Sequence, residues 1–269
     1  MNPILPTRTV AKPWGRDTLP APFSAPEGER IGEIWYEPSA LLPDLLVKYI
    51  FTSEALSVQV HPSDAQTLLA GQGRQGKEEC WLVIDADPGA VLGIGFRQTA
   101  SADVVRAAAL DGSIEQLMEW HPVQAGDFFY VPAGTVHAIG AGISMIELQQ
   151  NSQVTYRLYD YGRPRELHLD DGLGVACREP YPADLHQRLD EHGEVTLIEG
   201  PLFRLDRIDG PPSEHLAALY AGAPLLVVPR SIGVGVGGID LAVGECAVAR
   251  GIDEVALSGG AKALLARPV

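Results

Sequence analysis

Residues 126–137 read Gly126-Asp127-Phe128-Phe129-Tyr130-Val131-Pro132-Ala133-Gly134-Thr135-Val136-His137. The order describes a turn, a strand that stops at Pro132, a second turn at Gly134, and a histidine presented just past it. Proline cannot donate to a sheet ladder, and glycine supplies the reversed backbone a tight turn needs. An ordinary hairpin with an incidental histidine would not require the proline and both glycines to be placed around that one residue.

A second stretch, Leu56-Ser57-Val58-Gln59-Val60-His61-Pro62, alternates polar and apolar side chains. On a strand it puts Ser57, Gln59 and His61 on one face and Leu56, Val58 and Val60 on the other. The apolar face can pack in a core while the polar face meets solvent or lines a cavity, and Pro62 leaves His61 near the strand end. Short segments of the same kind recur at 45–51, 80–84, 127–132, 143–149, 154–159, 225–228 and 241–249, separated by turn residues, as in an all-β sandwich or barrel. Helical patterning is confined to 101–118, split at Asp111-Gly112, and to 184–192. Ser101 suits a cap for the first helical piece, and Ser113 with Gln116 forms a capping-box pattern for the second.

The chain has 269 residues with 29 Gly and 21 Pro, enough length for one large domain or two modest ones and a composition that favours turns over long helices. The strand rhythm gives way to proline and acidic residues around 178–195, the expected boundary. A formal charge of −15 would repel a nucleic-acid backbone, and no basic stripe offsets it. No apolar run approaches the roughly 20 residues of a membrane span, and no secretory leader is evident. Cys80, Cys177 and Cys246 are odd in number and lack metal spacing, which suits a reducing cytoplasm. Residues 233–238 spell a formal GxGxxG, but Ile239-Asp240-Leu241 after it alternates like a strand, so a strand-turn element is expected there and not a dinucleotide site.

The 126–137 pattern resembles the second motif of the cupin superfamily, small β-barrels that hold a metal. The stretches LLVKYIFTSEALSVQVHPSD (45–64), GKEECW (76–81), GDFFYVPAGTVHAI (126–139) and ELQQNSQVTYRLYDYGRPRELHL (147–169), with weaker KPWG (12–15) and GEIWY (32–36), are similar to type I mannose-6-phosphate isomerases in their short bacterial form. The resemblance spans residues 12–170 in order. It implies an all-β fold with a few helices: a cupin (jelly-roll) barrel over residues 1–185, and a second, degenerate cupin-like β-domain over 186–269. KEECW stands where KTECW is more usual, and a large helical insertion known in other lineages is missing.

The resemblance also implies a ligand set of Gln59, His61, Glu79 and His137, with one Zn²⁺ per chain the usual ion and other divalent ions possible. Such nitrogen and oxygen donors suit that ion and leave room for water or substrate. Glu78 competes with Glu79, and only the motif position before Cys80-Trp81 selects between them. His121 and His168 have no ligand spacing around them. Arg157 takes the position of the catalytic arginine, although its surroundings also suit a rim salt bridge with Asp160. Lys77 is the second catalytic candidate, with either Lys77 or a metal-bound water as the proton shuttle. Lys48 and Ser57 are expected to bind substrate. The chain has only four lysines, and two of them, Lys48 and Lys77, flank the implied site, where they would supply positive charge for a sugar phosphate. The activity implied is interconversion of mannose 6-phosphate and fructose 6-phosphate through an enediol(ate). The alternative is a non-catalytic cupin that binds a sugar phosphate as a sensor or regulator. An Fe²⁺ oxygenase suits the donor set and the cations less well.

Overall fold

The strand Leu45–Phe51 is buried at every residue. Successive side chains of a strand point to opposite faces, so such a strand must lie between two packed layers. Val47, Tyr49 and Phe51 join one apolar cluster and Ile50 joins another, with Lys48 between them pointing the same way as Ile50. The computed structural model, which describes residues 2–189 and 192–269, extends that arrangement through the chain.

In chain order the first strands are β1 (Thr7–Arg16), β2 (Ile31–Tyr36), β3 (Leu45–Phe51), β4 (Val58–Val60), β5 (Glu79–Ala86), β6 (Val91–Phe96) and β7 (Met118–Pro122). They are followed by β8 (Asp127–Val131), β9 (His137–Ile139), β10 (Ile143–Gln150), β11 (Tyr156–Tyr159) and β12 (His186–Arg188). A seven-stranded sheet, β1-β2-β3-β10-β5-β8-β12, faces a five-stranded sheet, β11-β4-β9-β6-β7. The space between them is filled by Ile50, Trp81, Val83, Phe129 and Met145 from the first and Leu92, Ile94 and Ile139 from the second. This is the cupin barrel expected from sequence.

Helices cover the outer face of the five-stranded sheet. Helix α1 (Asp64–Leu69) follows β4, α2 (Ala102–Asp111) and α3 (Ile114–Leu117) follow β6, and α4 (Leu169–Val175) follows β11. Val105, Ala108, Ile114 and Leu173 pack there on Val58, Val60 and Leu158. Helix α2 starts as its sequence indicates, with the Ser101 side chain accepting from Val104 N, and it stops at Gly112 in the left-handed region (φ 85°). An ideal Cβ on Gly112 would lie 2.9 Å from the Tyr159 hydroxyl, so the residue is fixed by both conformation and space. The Ser113 capping box does not form: the Ser113 backbone is helical (φ −69°, ψ −3°) where a cap needs an extended one, and its hydroxyl accepts from no helix amide.

Beyond Val195 the sheets are separate. Val195–Glu199, Phe203–Asp209, Lys262–Pro268, Leu225–Pro229 and Ala247–Ala249 form a five-stranded sheet, and Ile239–Leu241, Val234–Val236 and Val255–Leu257 a three-stranded one. The larger of these packs on the seven-stranded sheet from behind: Leu205, Leu226, Val228, Leu264 and Ala266 share one cluster with Ile34, Tyr36, Tyr49, Leu82 and Leu148. The formal GxGxxG is a hairpin, with Gly237 and Gly238 at its tip. Two local expectations change. The stretch 241–249 is not one strand, because the chain turns at 242–246, where the Gly244 carbonyl accepts from the Tyr36 hydroxyl. The stretch 184–192 is not an α-helix: a 3-10 turn (Ala183–Leu185) leads into β12, which pairs with β8, while 190–191 lie outside the described residues. Tertiary pairing outweighs local helix pattern there, since the His186 ring stacks on Phe129 at 4.1 Å between centroids.

Candidate metal centre and anion pocket

Strands β4 and β9 are hydrogen-bonded neighbours, with Gln59 opposite His137. His61 follows β4 directly, and Glu79 opens β5 in the facing sheet. Three elements that are distant in sequence therefore bring their polar side chains together inside the barrel. His61, Glu79 and His137 are 2%, 1% and 0% exposed. The His137 Nε2 lies 3.3 Å from Glu79 Oε1, and His61 Nε2 lies 3.6 Å from Glu79 Oε2. Among the described residues these three form the one group of His, Cys, Asp or Glu side chains close enough to hold an ion.

The tautomers are set by the backbone. His61 Nδ1 is 2.9 Å from the Val154 carbonyl and His137 Nδ1 is 2.9 Å from the Thr135 carbonyl, so each Nδ1 carries the proton. Each Nε2 then presents a lone pair toward the Glu79 carboxylate. Burial, with the Lys77 charge acting in the same direction, keeps both imidazoles below the usual histidine range and hence neutral. Burial also disfavours ionisation of Glu79, but the ammonium of Lys77 overrides it and holds the carboxyl below its usual range. Two lone pairs facing an anion are stable only if a cation stands between them. Lys77 partly fills that role, 2.9 Å from His61 Nε2 and hydrogen-bonded to Glu79 Oε2. Gln59 Nε2 is 3.2 Å from His137 Nε2, and exchanging its amide oxygen and nitrogen would turn an oxygen donor onto the same point. The donor chemistry fits a divalent metal: two oriented imidazoles, one carboxylate and an amide, with backbone carbonyls fixing the rings from behind.

Glu78 points away, accepting from the Tyr130 hydroxyl, and Glu79 is the carboxylate that lies beside the two imidazoles. His121 and His168 lie outside the cluster. His121 packs with Phe129 and Tyr181, and His168 Nδ1 accepts from the Arg157 amide.

Above the cluster opens a cavity of about 310 Å³ lined by Ser57, Gln59, Lys77, Thr155 and Arg157. That volume is at the lower end of small-ligand sites. Its wall also carries Lys12, Lys48 and Arg165, giving five cationic side chains against the carboxylates of Glu33 and Glu147. In a chain of charge −15 this is a local reversal of sign. Trp14 and Trp35 supply apolar surface beside it.

The expected substrate groups are differently placed. Ser57 lines the cavity and its hydroxyl is 3.4 Å from Gln59 Oε1. Lys48 is committed to the protein: its Nζ donates to Glu147 Oε2 at 2.7 Å and to Gln149 Oε1, and it sits 4.6 Å from the Trp35 ring centroid. Arg157, opposite Gln59 on β11, donates from Nη1 to the Glu166 carbonyl at 2.8 Å, and its buried Nε has no protein partner. The alternative Arg157–Asp160 rim bridge is not formed. Asp160 instead receives Arg163 and Arg165.

Several cavity residues were not read from the sequence. Glu147 alternates with Gln149 on β10 and could have been found by the reasoning applied to β4. Lys12 and Trp14 lie in the KPWG stretch, and Glu33 and Trp35 in GEIWY, whose alternation faces one sheet surface. Arg165 carries no local signal.

No family model matches the chain. Mannose-6-phosphate isomerase of Streptococcus mutans serotype c is 45% identical over 143 residues, covering 51% of this chain and 44% of that protein. The chain spans about half the length of the curated relatives it matches. The crystal structure of the mannose 6-phosphate isomerase of Bacillus subtilis superposes with a TM-score of 0.77 at 24% identity, covering 99% of this chain and 100% of that one. A zinc-bound mannose 6-phosphate isomerase structure superposes with a TM-score of 0.73 at 14% identity, over 98% of each chain. In sequence over about half of its residues, and in fold over nearly all of them, the chain resembles mannose-6-phosphate isomerases.

Proposed function

We propose that the protein is a metal-dependent aldose–ketose isomerase that interconverts mannose 6-phosphate and fructose 6-phosphate. One observation carries the reading: two buried imidazoles, fixed with their lone pairs toward a buried carboxylate, lie beneath a cavity whose wall carries five cationic side chains against two carboxylates. His61, Glu79, His137 and Gln59 would hold the ion, and zinc agrees with the donor set and with the zinc-bound neighbour. When bound, the ion would polarise the oxygens of the two carbons between which the proton moves.

The chain's own groups supply the rest. An enediolate carries negative charge that the site must stabilise without reorganising. Arg157, on the cavity lining, would supply that positive charge. Lys77 Nζ, between His61 and Glu79, would hold and pass the proton. Ser57 offers a hydroxyl donor on the same wall, and Lys48 orders Glu147 and Gln149. The two-unit organisation, 1–185 and 186–269, follows sheet membership except at β12, which joins the first barrel, and residues 244–248 also bond to Pro3, Leu5 and Tyr36. Among the described residues no helix is long and apolar enough to cross a membrane. The free cysteines accord with a cytoplasmic setting.

The test is an isomerisation assay on purified protein of measured metal content, before and after chelation and with Arg157→Ala. Turnover that is lost on chelation, restored by zinc and reduced about 10²–10³-fold in the variant supports the reading. Metal-loaded protein that binds mannose 6-phosphate without turnover would establish the sensor alternative instead.

A further inference from the structure

The segment after β11 turns sharply and returns to the cavity rim. Asp160 N-terminal to the turn and Arg163 after it are joined by Arg163 N to Asp160 O at 3.0 Å, and both residues between them have positive φ, Tyr161 at 54° and Gly162 at 76°. Tyr161 is the one described residue other than glycine with a left-handed backbone. A bulky residue is held there only when its surroundings determine it, and such outliers gather at functional sites.

What determines it is a buried carboxylate. Asp160 is 2% exposed, and Arg165 grips it with two bonds, Nε to Oδ2 at 2.5 Å and Nη2 to Oδ1 at 2.6 Å. Arg163 Nη1 adds a third at 3.1 Å, and Arg163 Nη2 reaches back to the Ala55 carbonyl at 2.7 Å, in the segment leading into β4. Arg165 also lines the cavity. The same loop ends at Glu166, whose carbonyl accepts from Arg157. The two guanidiniums on this side of the cavity therefore take their placement from one loop, and that loop takes its shape from one carboxylate. Left alone, the like charges of Arg157 and Arg165 would move apart.

We propose that Asp160 is a positioning residue: it fixes the loop 160–166 so that Arg165 stands on the cavity poised for the phosphate of a phosphate monoester, with Arg157 held beside it for the reacting carbons. The identity of the anion rests on the function proposed above. The positioning itself does not, since it can be read with inorganic phosphate alone. A forked, charge-assisted pair is the strongest hydrogen-bonded unit available to these side chains, and its loss frees Arg165 to point elsewhere.

The experiment compares wild-type protein, Asp160→Asn, Asp160→Glu and Arg165→Gln, each checked for its thermal midpoint. Binding of inorganic phosphate is measured by calorimetry, and KM and kcat with mannose 6-phosphate. Asp160→Asn should weaken phosphate binding and raise KM about ten-fold or more, and lower kcat as Arg157 loses its support. Asp160→Glu, which keeps the charge, should recover part of the loss. Arg165→Gln should weaken phosphate binding similarly, and adding Asp160→Asn to it should cost little more. Folded variants of Asp160 with wild-type phosphate affinity would overturn the proposal, as would full additivity of the two substitutions. If Asp160→Asn does not fold, the Arg165→Gln and Asp160→Glu comparison still decides it: unchanged phosphate affinity in both overturns it. Absence of isomerase turnover in the wild type would refute the proposed function while leaving the phosphate measurements to judge Asp160.

Discussion

Replacing Lys48 by methionine separates two roles for that lysine, substrate ligand or part of the wall. Lys48 and Glu147 are 5% and 3% exposed, and their charged atoms are 2.7 Å apart. Methionine keeps most of the aliphatic stem, so little packing is lost, but Glu147 is left as a buried anion. Its remaining support within the wall is the Trp81 indole N–H at 3.3 Å. Breaking one side of a buried pair costs about 3–5 kcal/mol, mainly through the partner left uncompensated. For a chain of this size that corresponds to a fall in Tm of roughly 6–20 °C. Lys48→Met with Glu147→Leu removes both charges, and the double variant should recover most of the loss. The assay is thermal and urea unfolding of the parent, both single variants and the double variant. A Lys48→Met protein within about 1 kcal/mol of the parent would refute this reasoning and return Lys48 to the substrate as a loosely held cation.

His137→Ala should abolish tight zinc binding, lowering metal content from about one equivalent, because a donor of the buried set is gone. Chelation of the parent should lower its stability by about 2.7 kcal/mol relative to protein held at a hundredfold excess of zinc over its Kd, read as a Tm shift. Gly134→Ala should destabilise by about 1–2 kcal/mol and weaken zinc binding, since Gly134 has φ 86° and a Cβ there would stand 3.0 Å from the Val175 carbonyl, three residues before His137. A thiol reagent should label Cys177 rapidly in the native protein and reach Cys80 and Cys246 only on unfolding, because Cys177 is exposed, the other two are buried, and burial pushes both of their thiols up; equal rates at all three would contradict the packing.

Period-two alternation in LSVQVHP was enough to put Ser57, Gln59 and His61 on a shared face, and the structure places Ser57 and Gln59 on the cavity with His61 beneath it. Leu56 was assigned to the opposite face with Val58 and Val60, yet it packs in the barrel interior, because β4 begins only at Val58. The turn glycines around His137 were likewise legible, since their conformations are local. The meeting of Gln59 with His137 is a matter of register between strands nearly eighty residues apart, and no short-range pattern specifies it. The partners of Lys48 were hidden for the same reason: Glu147 and Gln149 lie across β10, which pairs with β3 from the far part of the barrel. Helix α1 could have been found, because Ser63 and Gln66 form the capping box whose pattern also occurs at Ser113 and Gln116. The difference is that Ser63 is extended (ψ 169°), as a cap must be, whereas Ser113 is already helical (ψ −3°).

Strands β2 and β3 show polar groups to the cavity on one surface and Tyr36, Tyr49 and Phe51 to the distal sheets on the other. Among the described residues the distal half gathers no ion-holding cluster, and it acts as a buttress against which the reactive wall is braced. Tolerance to substitution should follow from that: polar exchanges on its outer rim ought to pass unnoticed, whereas thinning Leu226, Val228 or Leu264 would loosen the chamber from the back without touching a single residue inside it.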